Sequence, residues 1–217
     1  MKILIFGASG SAGSGVLAGC LADPEVESVR AVVRRPLGIA DPKLEMIEHR
    51  DFLDYTGAEA AFVGVDACLY CLGISVTAVS GEAEYRRITM DFAMAAAGAL
   101  RAASPDAVFQ YLSGQGASLA SRFMWARVKA EAERELMTRF GAVCWRPGAI
   151  DGKAPDGLPW YYALARRPVF VLLSPFRALY IKNRDIGRAM LQATREGMRG
   201  RIVENREIRD LADRARA

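Results

Sequence analysis

Apolar residues cluster in six short runs over the first 150 positions, and polar, helix-forming stretches fill most of the gaps between them. The runs are Ile3 to Phe6, Glu27 to Val33 (closing SVRAVV), Leu44 to Glu48, Asp66 to Leu72, Pro105 to Leu112 and Val143 to Arg146. Several, such as ACLYCL, are nearly continuous in apolar character instead of alternating, which suits parallel strands covered on both faces. Between them, Ser14 to Ala22, Ala58 to Val63, Glu82 to Ala103 and Ser121 to Phe140 read as helices. Tyr85, Ile88, Met90, Phe92, Met94 and Leu100 are packing candidates of the third. This alternation predicts an α/β fold, a doubly wound parallel sheet.

Beyond Ile150 the pattern loosens. Asp151 to Pro159 is a Gly/Pro/Asp loop, Trp160 to Arg166 a short helix, and Val169 to Leu173 and Ala178 to Lys182 are candidate strands. Arg184 to Thr194 is a helix, and Arg201 to Val203 and Glu207 to Ala215 finish the chain. No repeat or low-complexity linker intervenes. With 217 residues and 52% hydrophobic content, a single domain over 1–217 is expected, residues 151–217 forming a substrate-side cap. Trp160, Tyr161 and Tyr162 are candidates for the substrate wall, with core packing the equal alternative.

The turn after the first strand carries the chemistry. In KILIFGASGSAGSGV, Gly7, Gly10 and Gly13 recur every third residue, not in the G-x-G-x-x-G of most dinucleotide dehydrogenases. The physical demands are the same: a tight strand-to-helix turn, close approach of backbone to pyrophosphate, and close helix–strand packing. Free N–H groups at the helix start face the anion, and Ser9 and Ser11 offer hydroxyls. No Gly-Lys-Ser/Thr follows at the required spacing, so a P-loop is not expected. The alternative is a plain Gly/Ser turn. After the second strand, where an NAD site places an acid, stand Arg34 and Arg35. Guanidinium matches a phosphate, so NADP(H) is expected in preference to NAD(H); a solvated strand end is the competing account. Asp51 and Phe52 fall where an adenine would be hydrogen-bonded and flanked by an aromatic ring, or where strand simply turns to helix. Gly73, ending the fourth strand, permits close approach of the cofactor.

Composition removes alternatives. The net charge is +4, but the 24 arginines and 5 lysines are scattered, so no nucleic-acid footprint emerges. Leu17-Ala18-Gly19-Cys20 imitates a lipoprotein signal, yet glycines and serines interrupt its apolar core. No apolar run approaches the ~20 residues that span a membrane; a cytoplasmic protein is expected. Cys68 and Cys71, three apart on a strand, point to opposite faces and cannot share a metal. A single histidine, His49, excludes a multi-histidine site and disfavours a hydrolase triad.

GASGSAG, VVRR, YCLG, EYRRITMDF, FQYLSGQGA, SRFMWARVKAEAE and WRPGAIDG, in this order, resemble the atypical short-chain dehydrogenase/reductase superfamily, NAD(P)-binding Rossmann proteins. The branch is that of the small NAD(P)-binding proteins similar to the Tat-interacting tumour-suppressor protein. The resemblance runs from Lys2 to about Gly152, more weakly through Asp185 and the C-terminal helix. It implies a cofactor set that adds Leu72, Lys129, Pro147 and Ile150 to the residues above. It also implies catalysis by a Ser after the fifth strand with a Tyr-x-x-x-Lys on the next helix, the Lys depressing the Tyr pKa and holding the nicotinamide ribose. Ser113 and Lys129 match; Trp125 stands where the Tyr would be. An indole N–H is a donor without useful titration, so Lys129, Tyr111, Tyr161 or Tyr162 would have to replace the acid. Two readings follow: an NADP-dependent oxidoreductase on an unknown small carbonyl substrate, or a non-catalytic NADP(H)-binding redox sensor with a protein partner. A sugar-nucleotide epimerase is weaker, since that chemistry also needs the Tyr. Monomer and small homo-oligomer stay open.

Overall fold

The computed structural model describes residues 1–152, 168, 170–172 and 175–216. Its strands are β1 (Lys2–Phe6), β2 (Ser28–Val33), β3 (Leu44–Glu48), β4 (Ala67–Tyr70), β5 (Val108–Leu112), β6 (Val143–Arg146), β7 (Ala149–Asp151), β8 (Tyr180–Lys182) and β9 (Arg201–Glu204). Seven of them form one parallel sheet in the order β3-β2-β1-β4-β5-β6-β9. This is the expected doubly wound sheet of a Rossmann-type α/β fold. Strand order reverses beside β1, and in such sheets the crevice at the carboxyl ends of the strands is where ligands bind. Because all strands run one way, the residues that follow β1, β2, β4, β5 and β6 are gathered along this single edge.

Helices cover both faces. One is packed by α1 (Gly13–Ala22), α5 (Asn183–Arg195) and α6 (Asn205–Arg214), with Val16, Leu17, Ile186, Met190, Ile208 and Leu211 in its core. The other carries α3 (Phe92–Ala103) and α4 (Met124–Phe140) over an aromatic layer of Phe6, Phe62, Tyr70, Phe109 and Tyr111. Small residues let α1 and α5 touch: a Cβ on Gly15 would lie 2.2 Å from the Asn183 side chain, and one on Gly187 2.9 Å from the Val16 Cα.

Several elements differ from the sequence expectation. The helix read over Glu82 to Ala103 is α2 (Glu82–Arg86), a π-helical turn at Arg87–Asp91, and α3. Within that turn the Thr89 carbonyl accepts a bond from the Tyr111 hydroxyl at 3.1 Å, a long-range partner that hydropathy periodicity does not register. The helix expected from Ser121 starts at Met124, because the Ser121 hydroxyl accepts the Phe123 N–H (3.1 Å) and holds a turn there. Asp151, expected in a loop, belongs to β7, which pairs in parallel with β8 outside the main sheet. Asn205 fixes this annex, accepting from Gly148 N–H (2.8 Å) and donating to the Arg177 (2.7 Å) and Tyr180 (3.1 Å) carbonyls. Phe170, Val171 and Leu172, expected in a strand, are helical. Trp160, Tyr161 and Tyr162 lie outside the described residues.

Cys68 packs among the aromatic layer and Cys71 against the opposite core, as strand alternation requires. No group among the described residues is arranged to hold a metal ion, and no described helix is long and apolar enough to cross a membrane. All four cysteines are free, and burial pushes each thiol up, that of Cys71 to about 12. The thiolate is the reactive form. Cys20, Cys68 and Cys144 are buried and Cys71 half-buried, so the first three should resist a disulfide reagent at pH 8 in the native protein and react in denaturant; rapid native labelling of any of these three would contradict its burial.

Candidate active site

The turn after β1 is built by exclusion of side chains. Gly7 adopts φ +73°, and a Cβ on it would lie 2.6 Å from the Cys71 and Leu72 backbone. Gly13, the first residue of α1, leaves no more room: its Cβ would sit 2.1 Å from the Gly7 carbonyl oxygen. Gly10 donates its N–H to that same oxygen (2.9 Å) and, with Ser9, is exposed. The N-cap of α1 is Ala12, with no side-chain cap and no acid in the first turn. Among the described residues the Ser11 and Ala12 amides have no acceptor. A helix start without a cap keeps its N–H groups for an anion.

The loop is braced from the far end of the chain. Asn183 Nδ2 donates to the Ser11 carbonyl at 3.0 Å, and a Cβ on Gly152 would lie 2.4 Å from that oxygen. Sequence reasoning missed Asn183, Gly15 and Gly152 as partners of the loop; only the density of glycines hinted at close approach.

Arg34 and Arg35 follow β2 on the same edge, both exposed, and neither makes an ion pair or hydrogen bond among the described residues. The Asp51 carboxylate is exposed, and one oxygen accepts the Leu53 N–H at 3.0 Å. The aromatic flank expected from Phe52 is not there: the residue is 4% exposed, its ring edge-on to Phe6 and tilted against Phe92. Core burial of a phenyl ring outweighs anything it would gain at the rim. Leu72 is half-buried against the aromatic core, and Gly73 is exposed with open space where a Cβ would stand. Pro147 is buried and accepts the Gln115 N–H (3.0 Å), while Ile150 packs partly against the α1–α5 core.

Ser113 directly follows β5, and its N–H donates to the Trp145 carbonyl at 2.8 Å. It is 7% exposed, and its hydroxyl has no partner among the described residues, the kind of orphaned group that calls for an explanation. Lys129 Nζ donates to the carbonyl of the same Ser113 at 3.0 Å and lies 6.0 Å above the Tyr111 ring. Desolvation pulls the ammonium down to about 8, with Glu133 acting against it. Trp125, Lys129 and Glu133 stand four apart and share one face of α4. Glu133, 1% exposed, is gripped by Arg146 through Nε (2.9 Å) and Nη2 (2.6 Å), which holds the guanidinium above its usual range. Trp125 is half-buried with its ring near Gly116, where a Cβ would be 3.5 Å away. Tyr111, a candidate replacement acid, is 1% exposed with its hydroxyl turned to Thr89, and burial raises its pKa far above the usual phenol value. It is removed from that role.

No protein-family model matches the chain. Protein fmp52-2, mitochondrial, of Neosartorya fischeri is 27% identical over 154 residues, covering 69% of this chain and 66% of that protein, just under two thirds of its length. Among solved structures, the Bordetella bronchiseptica enzyme WbmF in complex with NAD+ superposes with a TM-score of 0.70 at 12% identity, covering 99% of this chain and 77% of that one. An oxidoreductase of the short chain dehydrogenase/reductase family from Burkholderia thailandensis gives 0.70 at 16% identity, with coverages of 93% and 89%. At these identities the likeness is one of fold.

Proposed function

We propose that the chain binds a nicotinamide dinucleotide, NADP(H) in preference to NAD(H), and acts as an NADPH-dependent oxidoreductase on a small carbonyl compound. The observation that carries this reading is the uncapped α1 N-terminus behind a turn in which Gly7 and Gly13 leave no room for a Cβ and Gly10 little. The cradle fits a pyrophosphate, and the unpaired Arg34 and Arg35 suit a 2′-phosphate. The orphaned Ser113 hydroxyl beside Lys129 suits a ribose and a reacting oxygen. Of the two solved structures of like fold, the WbmF enzyme is in complex with NAD+ and the Burkholderia protein is an oxidoreductase, which supports the same reading. A bound dihydronicotinamide supplies hydride. Ser113 then holds the carbonyl oxygen by hydrogen bonding, Lys129 holds the ribose, and Trp125 narrows the pocket. Kinship to the Tat-interacting branch, the single-domain organisation and a cytoplasmic location belong to the same proposal.

Titration with NADPH and NADH, followed by tryptophan emission, tests it. Two guanidinium–phosphate contacts at about 1.5–3 kcal/mol each, reduced by solvent screening, predict that Arg34→Ala with Arg35→Ala weakens NADPH binding roughly 10- to 100-fold. NADH binding should stay within about twofold. Equal loss for both cofactors would remove the argument for NADP. Trp125 itself favours a second reading, a cofactor-binding sensor without turnover, which predicts tight NADPH binding and no NADPH oxidation with any aldehyde or ketone offered.

A further inference from the structure

On the oxidoreductase reading, the described residues leave neither Trp125 nor Tyr111 as proton donor. The indole of Trp125 does not titrate, and Tyr111 is turned away to Thr89. We propose that Lys129 takes over: its ε-ammonium, anchored on the Ser113 carbonyl beside the unpartnered Ser113 hydroxyl, gives the proton to the oxygen that this hydroxyl binds. The inference rests on the oxidoreductase reading and goes beyond it, since there Lys129 only holds the ribose.

The geometry carries the assignment. An ammonium has three donors, and among the described residues Lys129 spends one, on Ser113 O at 3.0 Å. That bond fixes Nζ at the backbone carbonyl of the residue whose own hydroxyl is buried and has no partner among the described residues, so acid and oxyanion donor are held on the same residue. The carboxylate one turn on is occupied elsewhere: Glu133 gives both oxygens to Arg146. Among the described residues, the charged and titratable groups facing Lys129 are Tyr111 on β5, Glu133 on α4 and, behind Glu133, Arg146 on β6, with Cys144 of β6 and Tyr85 of α2 adjacent to Tyr111. None of these is a carboxylate free to trap the proton. Desolvation brings Nζ to about 8, close to where a general acid works best at neutral pH.

The step balances. As hydride from the dihydronicotinamide forms the new C–H bond, the carbonyl π bond breaks and its oxygen takes one proton from Nζ. The carbonyl is reduced to an alcohol, the cofactor is oxidised, and the neutral amine recovers a proton from water. The rate should be highest below the Lys129 pKa and fall about tenfold per pH unit above it.

The first test needs no turnover. With five lysines in the chain, ε-13C-lysine NMR resolves each titration, and Lys129→Arg assigns the one of interest. Lys129 is expected to titrate near pH 8 and exposed lysines near 10.4. The second test follows NADPH oxidation with 4-nitrobenzaldehyde. Lys129→Arg keeps the charge and the bond to Ser113 O but gives up no proton. It should retain NADPH binding within a few fold and lose about 10²- to 10⁴-fold in kcat; Trp125→Tyr in that background should restore part of the loss. NADPH binding with Lys129 titrating near 10 overturns the proposal alone, as does a Lys129→Arg variant with unchanged kcat. A wild-type chain that does not bind NADPH overturns the oxidoreductase reading and the proposal with it. Binding without any aldehyde turnover overturns both in favour of the sensor.

Discussion

Glu133→Ala is expected to destabilise the fold by about 3–5 kcal/mol, the loss typical of removing one partner from a buried ion pair. At roughly 2–4 °C per kcal/mol for a chain of this size, the melting temperature should fall on the order of 10 °C. The cause is what remains. Arg146 is half-buried behind α4 and directs Nε and Nη2 at Glu133; without that carboxylate it keeps, among the described residues, only Glu204, more than half exposed, at 3.0 Å. An exposed partner screened by water compensates little. Replacing both members, Glu133→Leu with Arg146→Met, removes the charges together and should recover most of the loss. Urea unfolding of the two variants decides it: if Glu133→Ala costs under about 1 kcal/mol, the pair is behaving as a surface bridge. The substitution also reaches the site. Glu133 raises the Lys129 pKa against desolvation, so its removal should move the Lys129 titration below pH 8.

That pair also shows where sequence reasoning stops. In Lys129-Ala-Glu-Ala-Glu133 the charges read as a solvated helix face, and nothing local distinguishes Glu131, which meets Arg86 near the surface, from Glu133, which is sealed. The difference lies in β6, thirteen residues on. The strands were readable because burial on both faces leaves unbroken apolar runs, and Gly7, Gly10 and Gly13 because a turn from strand to helix over an anion restricts side chains. Ser113 and Lys129 were legible through their place after β5 and on α4, and the structure brings them within one hydrogen bond. Phe52 stays open by sequence because a ring at a strand end serves rim or core equally well; the structure puts it in the core. β7 spans three residues, too short for a period, and its partner β8 begins 29 positions after its last residue. Asn183 and Asn205, which hold the phosphate loop and the annex in place, are polar residues at helix starts whose partners are backbone groups far away in sequence.

Gly13→Ala should have the second large effect, on binding more than on stability. Its Cβ would meet the Gly7 oxygen at 2.1 Å and the Gly7 carbonyl carbon at 2.7 Å. Both are backbone, so no rotamer change relieves the clash. Gly7 cannot retreat, because it is itself wedged against Cys71 and Leu72. The start of α1 must therefore shift, carrying with it the Ser11 and Ala12 amides that face the proposed pyrophosphate. Overpacking of this kind costs roughly 1–3 kcal/mol, which the chain should survive folded. Loss of aligned amide donors to a charged group, at about 1.5–3 kcal/mol each, predicts NADPH binding weaker by more than about 100-fold. Gly19→Ala supplies the contrast within the same helix, since its nearest neighbours would be 3.6 Å away, an ordinary contact. There the gain in helix propensity of up to about 1 kcal/mol should leave the protein slightly more stable and NADPH binding unchanged. A Gly13→Ala protein that binds NADPH as the wild type does would mean that the turn after β1 is not the phosphate site, and both the oxidoreductase and the sensor readings would fall together.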